Sequence, residues 1–79
     1  MGERIPFASW SEFRAHAERL MDRRHDAHRI YYQAPMDRFP RAVQVLQIFA
    51  NGKVKIRAGE LRFTIDKAHL DRLSRSSLA

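Results

Sequence analysis

Residues 51–66 read Asn-Gly-Lys-Val-Lys-Ile-Arg-Ala-Gly-Glu-Leu-Arg-Phe-Thr-Ile-Asp. Asn51-Gly52 is the strongest short hairpin signal, because a type I′ turn needs positive φ at both central residues. The run from Lys53 to Ala58 alternates polar and apolar side chains, the period of a half-buried strand. Gly59-Glu60 suits a second two-residue turn of type II′, with glycine first. Residues 61–65 then form the next strand. Upstream, Ala42-Val43-Gln44-Val45-Leu46-Gln47-Ile48-Phe49 is a strand by its β-branched content. The expected core of the fold is therefore a three-stranded antiparallel meander.

Turn length sets register, and register sets which side chains share a face. A two-residue turn at Asn51-Gly52 pairs Ala50 with Lys53, Phe49 with Val54 and Ile48 with Lys55. A two-residue turn at Gly59-Glu60 pairs Ala58 with Leu61, Arg57 with Arg62 and Ile56 with Phe63. One face then gathers Val43, Val45, Phe49, Val54, Ile56, Ala58, Leu61, Phe63 and Ile65, with Gln47 as its polar exception. The other gathers Lys53, Lys55, Arg57, Arg62 and Thr64, with Gln44, Leu46 and Ile48. Like charges placed directly opposite each other, as Arg57 and Arg62 would be, destabilise a sheet. An ordinary surface intersperses acids with bases. A cationic face with apolar surface beside it suits a phosphate backbone. With no aromatic ring expected on that face, shape and phosphate recognition are expected rather than base stacking.

Outward from the sheet, Ser9-Trp10-Ser11-Glu12 has the capping-box pattern, Ser at the N-cap and Glu at N3. Trp10, Phe13, Ala17, Leu20, Met21, His28 and Tyr31 then fall on one side of a 3.6-residue helix, interrupted by Arg24. This predicts a long helix over about residues 10–33, stopped by Pro35. The alternative is a shorter helix ending near Arg24, with residues 28–32 as an extra strand. Residues 34–40 form a loop bracketed by prolines. Asp66 can N-cap a short final helix carrying Leu70 and Leu73. Residues 1–8 read as an N-terminal arm and residues 74–79 as a polar, fraying tail. The expected fold is α+β, in the order α-β-β-β-α, with two helices packed on one face of the sheet.

The chain has 79 residues, one domain's worth, and a net charge of +6. Residues 1–40 hold seven Arg against six acids, and residues 41–79 hold eight Lys/Arg against three acids. The excess sits in the C-terminal half and favours polyanionic partners. Cysteine is absent, which excludes disulfides and thiolate metal sites. No apolar run approaches the ~20 residues that span a bilayer. The N-terminus lacks the apolar stretch of a signal peptide, so the expected compartment is the cytoplasm.

The chain resembles the nine-kilodalton, Alu-RNA-binding subunit of the signal recognition particle. The resembling stretches are Trp10-Ser11-Glu12-Phe13, Ala17-Glu18-Arg19-Leu20, Tyr31-Tyr32-Gln33-Ala34-Pro35-Met36, Arg41-Ala42-Val43 and Asn51-Gly52-Lys53-Val54-Lys55-Ile56. The order α-β-β-β-α is also that family's. The resemblance implies a dimer partner, RNA bound on a joint sheet surface, and RNA contacts at Arg41, Lys53, Lys55 and Arg57. The chain departs from the family in its helix lengths and in favouring Arg over Lys, twelve to three.

Other chemistry is poorly supported. His25 and His28, with Asp22 and Asp26, are spaced to share a helical metal, but no second cluster supplies the remaining ligands. There is no nucleophile elbow and no Gly-rich phosphate loop. The interleaved Glu18, Asp22 and Asp26 make the helix arginines a salt-bridged surface. The sequence thus predicts a non-catalytic, cofactor-free RNA-binding module acting through Arg41, Lys53, Lys55, Arg57 and Arg62, with structured RNA and a homo- or heterodimer partner. The alternative is a small protein-interaction module, an adaptor or inhibitor, docking on an acidic protein surface.

Overall fold

The computed structural model describes residues 3–22 and 29–77. Its elements are β1 (Glu3–Pro6), α1 (Trp10–Met21), β2 (Ile30–Tyr32), β3 (Arg41–Ile48), β4 (Lys53–Ala58), β5 (Leu61–Asp66), a 3₁₀ helix (Lys67–Arg72) and β6 (Leu73–Ser77). All six strands join one sheet, in the order β1-β6-β2-β3-β4-β5, and every pairing is antiparallel. This corrects the expected α-β-β-β-α fold with a three-stranded meander and two helices on one face. The meander exists, but it is half of a larger sheet.

Four segments account for the difference. Residues 3–6, expected within an N-terminal arm, are the edge strand β1. The expected helix over residues 10–33 ends at Met21, and Ile30–Tyr32 is a strand instead. The stretch from Arg23 to His28, including the candidate metal histidines, lies outside the described residues. The final helix is a single 3₁₀ segment without a buried residue. The supposed tail is β6, an interior strand held by β1 on one side and β2 on the other. Burial drives both corrections. Ile30 and Tyr32 alternate inward between β3 and β6 and are 1% and 6% exposed, and Leu73 is 1% exposed. An inward-facing strand position buries such side chains fully, whereas helical spacing would not bring them onto this sheet.

Helix α1 begins as its sequence predicts. Ser9 is extended (φ −154°), and its hydroxyl accepts the Glu12 N–H at 3.1 Å. The Glu12 carboxylate accepts the Ala8 N–H at 3.3 Å and pairs with Arg75 of β6 at 2.8 Å. The cap therefore also ties the helix to the sheet. Phe13, His16 and Ala17 are the buried residues of the helix. Phe13 meets Phe7 edge-on with centroids 5.1 Å apart, and Phe7 lies 5.3 Å from His16.

The β4–β5 register is the expected one, with Ala58 opposite Leu61, Arg57 opposite Arg62 and Ile56 opposite Phe63. The β3–β4 register is not. The Phe49 N–H donates to the Lys53 carbonyl and the Gly52 N–H to the Phe49 carbonyl, so three residues, not two, form the loop. This is a type I turn followed by glycine at φ 88°, the commonest three-residue hairpin. The extra loop residue puts Ile48 opposite Val54, on the core side. A bulge at Leu46 then shifts the register by one more residue, setting Val45 opposite Ile56 and Gln44 opposite Arg57. The two shifts add to two residues in register but cancel in face, so Val45 stays inside while Gln47 and Ile48 exchange faces.

The bulge lies within the β3–β4 pairing, just beyond Val43, where β3 leaves β2. Bulges bend and over-twist a strand. The consequence is visible across the sheet: the Tyr32 and Phe63 rings lie 6.0 Å apart. Their strands are three steps apart in sheet order, about 14 Å in a flat sheet. The sheet is therefore curled around a core of Phe7, Phe13, Ile30, Val54, Ile56 and Leu73, with α1 against it.

Two glycines test the turns separately. A Cβ on Gly52 would lie 3.0 Å from Cδ of Lys67, whereas one on Gly59 (φ 63°) meets nothing within 4 Å. Gly59→Ala is expected to cost about 1 kcal/mol from backbone strain alone. Gly52→Ala should cost more, about 2 kcal/mol, because Lys67 must also move. Paired thermal melts check the order, and equal losses would contradict it.

Candidate nucleic-acid interface

Strand alternation places Lys53, Lys55 and Arg57 of β4 on the outer face, away from the core. Arg62 of β5 stands directly opposite Arg57, Thr64 opposite Lys55, and Asp66 opposite Lys53. On the other flank Gln44 opposes Arg57 and Gln47 opposes Lys55. The face is thus a grid of four cations with uncharged polar neighbours and one carboxylate at its far corner. Lys53, Arg57 and Arg62 are exposed and Lys55 is half-buried. Among the described residues, no carboxylate forms an ion pair with Lys55, Arg57 or Arg62.

Arg41 is separated from the other four. It opposes Tyr32 in the β2–β3 pair and shares the inward parity of Val43 and Val45. Its guanidinium lies 3.5 Å from the Asp37 carboxylate, at the rim of a cleft of about 300 Å³. That cleft is floored by Tyr32, Ala34, Val43, Ala58 and Phe63. A cation at the mouth of an apolar cleft, already paired, cannot join the outer-face grid.

The outer surface carries features that the sequence reading missed. Tyr31 is on it, opposite Ala42 and Ser74, with the Arg4 guanidinium 4.9 Å over its ring. Phe49 opposes Lys53 and, unlike Ile48, does not pack on the core. The expectation of a face without aromatic rings is therefore corrected. The sequence signal for Tyr31 was present in the inward-outward-inward pattern of Ile30-Tyr31-Tyr32, which is meaningful only once those residues form a strand. Leu46 stands at the bulge, and Ile48 has moved inside, so the apolar strip expected beside the cations is reduced.

A second surface is apolar. Met36, Phe39 and Leu61 are 94%, 74% and 68% exposed. They surround the Arg41 cleft and an adjoining depression formed by residues 36–41. No group of three or more His, Asp or Glu positioned to hold a metal occurs among the described residues. No helix among them is long and apolar enough to cross a membrane. Comparison of the chain with protein-family models, with curated proteins and with solved structures finds no match.

Proposed function

We propose that this chain is a non-catalytic RNA-binding module that grips the phosphates of structured RNA with Lys53, Lys55, Arg57 and Arg62, in a cytoplasmic ribonucleoprotein. The observation that carries this reading is the Arg57–Arg62 pair, two exposed arginines directly opposite each other in the β4–β5 ladder. Such a pair costs stability in the free protein. A bound phosphate between them turns that cost into attraction, and guanidinium forks match phosphate oxygens two at a time. The neighbouring Gln44, Gln47 and Thr64 can donate hydrogen bonds to the same backbone. The motifs shared with the signal recognition particle subunit around residues 51–56 point the same way, although the element order here is different from that family's.

Counterion release gives the reading a quantitative test. Four phosphate contacts predict a log–log salt slope of about −3 for binding a structured RNA. Lys55→Glu with Arg57→Glu should lower affinity by about 100-fold at low salt and flatten the slope by about two. Fluorescence anisotropy over a salt series measures both. A doubly substituted protein that melts normally and binds RNA unchanged would sink the proposal.

The exposed Met36, Phe39 and Leu61 favour a second reading, a protein-interaction module. Purification without nuclease separates the two. Nucleic acid that co-elutes and is released by salt supports the first reading. A clean protein that instead retains a protein partner through Met36 and Phe39 supports the second.

A further inference from the structure

The two edges of the sheet are not alike. Edge strand β1 has four residues and ends in Pro6, a short and blunted edge. Edge strand β5 has six residues, no proline and no bulge, and no strand among the described residues pairs with its outer side. Its hydrogen-bonding phase follows from the hairpin. A two-residue turn closes on a hydrogen-bonded pair, here Ala58 with Leu61. Alternation then makes Ile56–Phe63 and Val54–Ile65 the bonded pairs within the hairpin. Arg62, Thr64 and Asp66 therefore direct their backbone N–H and C=O groups outward, away from β4.

From this geometry we infer that β5 is a self-association edge, pairing antiparallel with β5 of a second copy about a two-fold axis through Thr64. Three constraints select that register. A continuous sheet requires outer-face residues to oppose outer-face residues. The outward-directed groups of Arg62, Thr64 and Asp66 must exchange hydrogen bonds with one another. Three pairings satisfy both conditions for Arg62: its own copy, Thr64 of the second copy, or Asp66 of the second copy. The first brings two arginines together and the second sets Asp66 against Glu60 of the other copy, so both are repulsive. The third sets Arg62 of each copy opposite Asp66 of the other, giving two opposite-charge pairs related by the axis. It also sets Thr64 against Thr64, a favourable cross-strand pair, and Phe63 against Ile65 on the inner face. Asp66 is available for this role, because its side chain makes no capping bond to the following 3₁₀ helix.

A two-fold contact of this kind closes on itself, so it yields a dimer rather than a fibre. The two outer faces then form one surface, with Lys55 and Arg57 repeated across the axis. The inference is independent of RNA binding: it rests on the edge and its charges alone.

Sedimentation equilibrium of the full chain, from micromolar to millimolar concentration, tests it. The wild type should show a concentration-dependent dimer. Arg62→Asp sets aspartate against aspartate and should weaken the dimer by about tenfold. Arg62→Asp with Asp66→Arg restores opposite charges and should recover the wild-type constant. Thr64→Pro removes an N–H that β4 does not use, and should give a folded monomer. A wild type that stays monomeric at millimolar concentration overturns the inference. So does a dimer whose constant is the same in the single and the double charge variants, a comparison that stands even if the proline variant does not fold.

Discussion

A chain ending at Arg72 is expected not to fold cooperatively. The residues removed, Leu-Ser-Arg-Ser-Ser-Leu-Ala, look dispensable in sequence. In the structure Leu73–Ser77 form β6, which among the described residues is the one strand joining β1 to the rest of the sheet. Their loss strips four paired residues from β1 and three from β2. It also removes Leu73, which is fully buried, and the Arg75 guanidinium that joins Glu12 at 2.8 Å and lies over the Phe7 ring at 5.8 Å. A domain of this size has about 4–12 kcal/mol of net stability. Loss of Leu73 alone costs about 2–5 kcal/mol, and the unpaired strand edges add to it. Circular dichroism melts and amide dispersion by NMR report the outcome. A truncated protein that melts sharply near the full-length temperature would show that β6 is not structural.

The second large effect is expected at Phe13. Its side chain is completely buried, edge-on to Phe7, and joins α1 to the sheet. Phe13→Ala should lose about 3–5 kcal/mol through transfer and cavity terms. That is a large share of the total, so the denaturation midpoint should fall steeply with little change in slope. Trp10, the single tryptophan, lies 5.4 Å from the Phe13 ring and provides the fluorescence signal. Met21→Ala, on the same helix but exposed, is the control and should shift stability by about 0.5 kcal/mol or less. Equal losses at the two positions would contradict this account of the core.

Phe13 and Ser9 were legible because their signals are local. A cap is decided by residues three apart, and an apolar stripe by a 3.6-residue period. The β4–β5 hairpin was legible for the same reason: a glycine turn and strict alternation fix its register within one segment. Residues 30–32 were legible only as the alternative of an extra strand, and residues 73–77 not at all, because each makes a strand only by inserting between others. Three residues of Ile-Tyr-Tyr suit a helix face and a strand equally well until β3 and β6 are in place on either side. Leu-Ser-Arg-Ser-Ser has weak propensity of any kind, and tertiary pairing overrides it.

The candidate site divides along the same line. Lys53, Lys55, Arg57 and Arg62 follow from one hairpin, so their common face could be read directly. Arg41 belongs to another part of the sheet: its parity with Val43 and Val45 turns it to the inner face, and the structure adds its place opposite Tyr32 and beside Asp37. The Asn51-Gly52 turn shows how fine the boundary is. Both two-residue and three-residue loops use a glycine there, and the choice exchanges the faces of Gln47 and Ile48. Leu46 then returns Val45 to the inner face as a bulge between Val45 and Gln47, which no local turn signal announces. The sequence by itself determined the helix start, the β4–β5 hairpin and its row of cations, because those depend on contacts between near neighbours. The tertiary structure alone decided the six-strand order, the burial of the C-terminal strand and the open edge at β5, because those depend on which distant segments supply the missing hydrogen bonds.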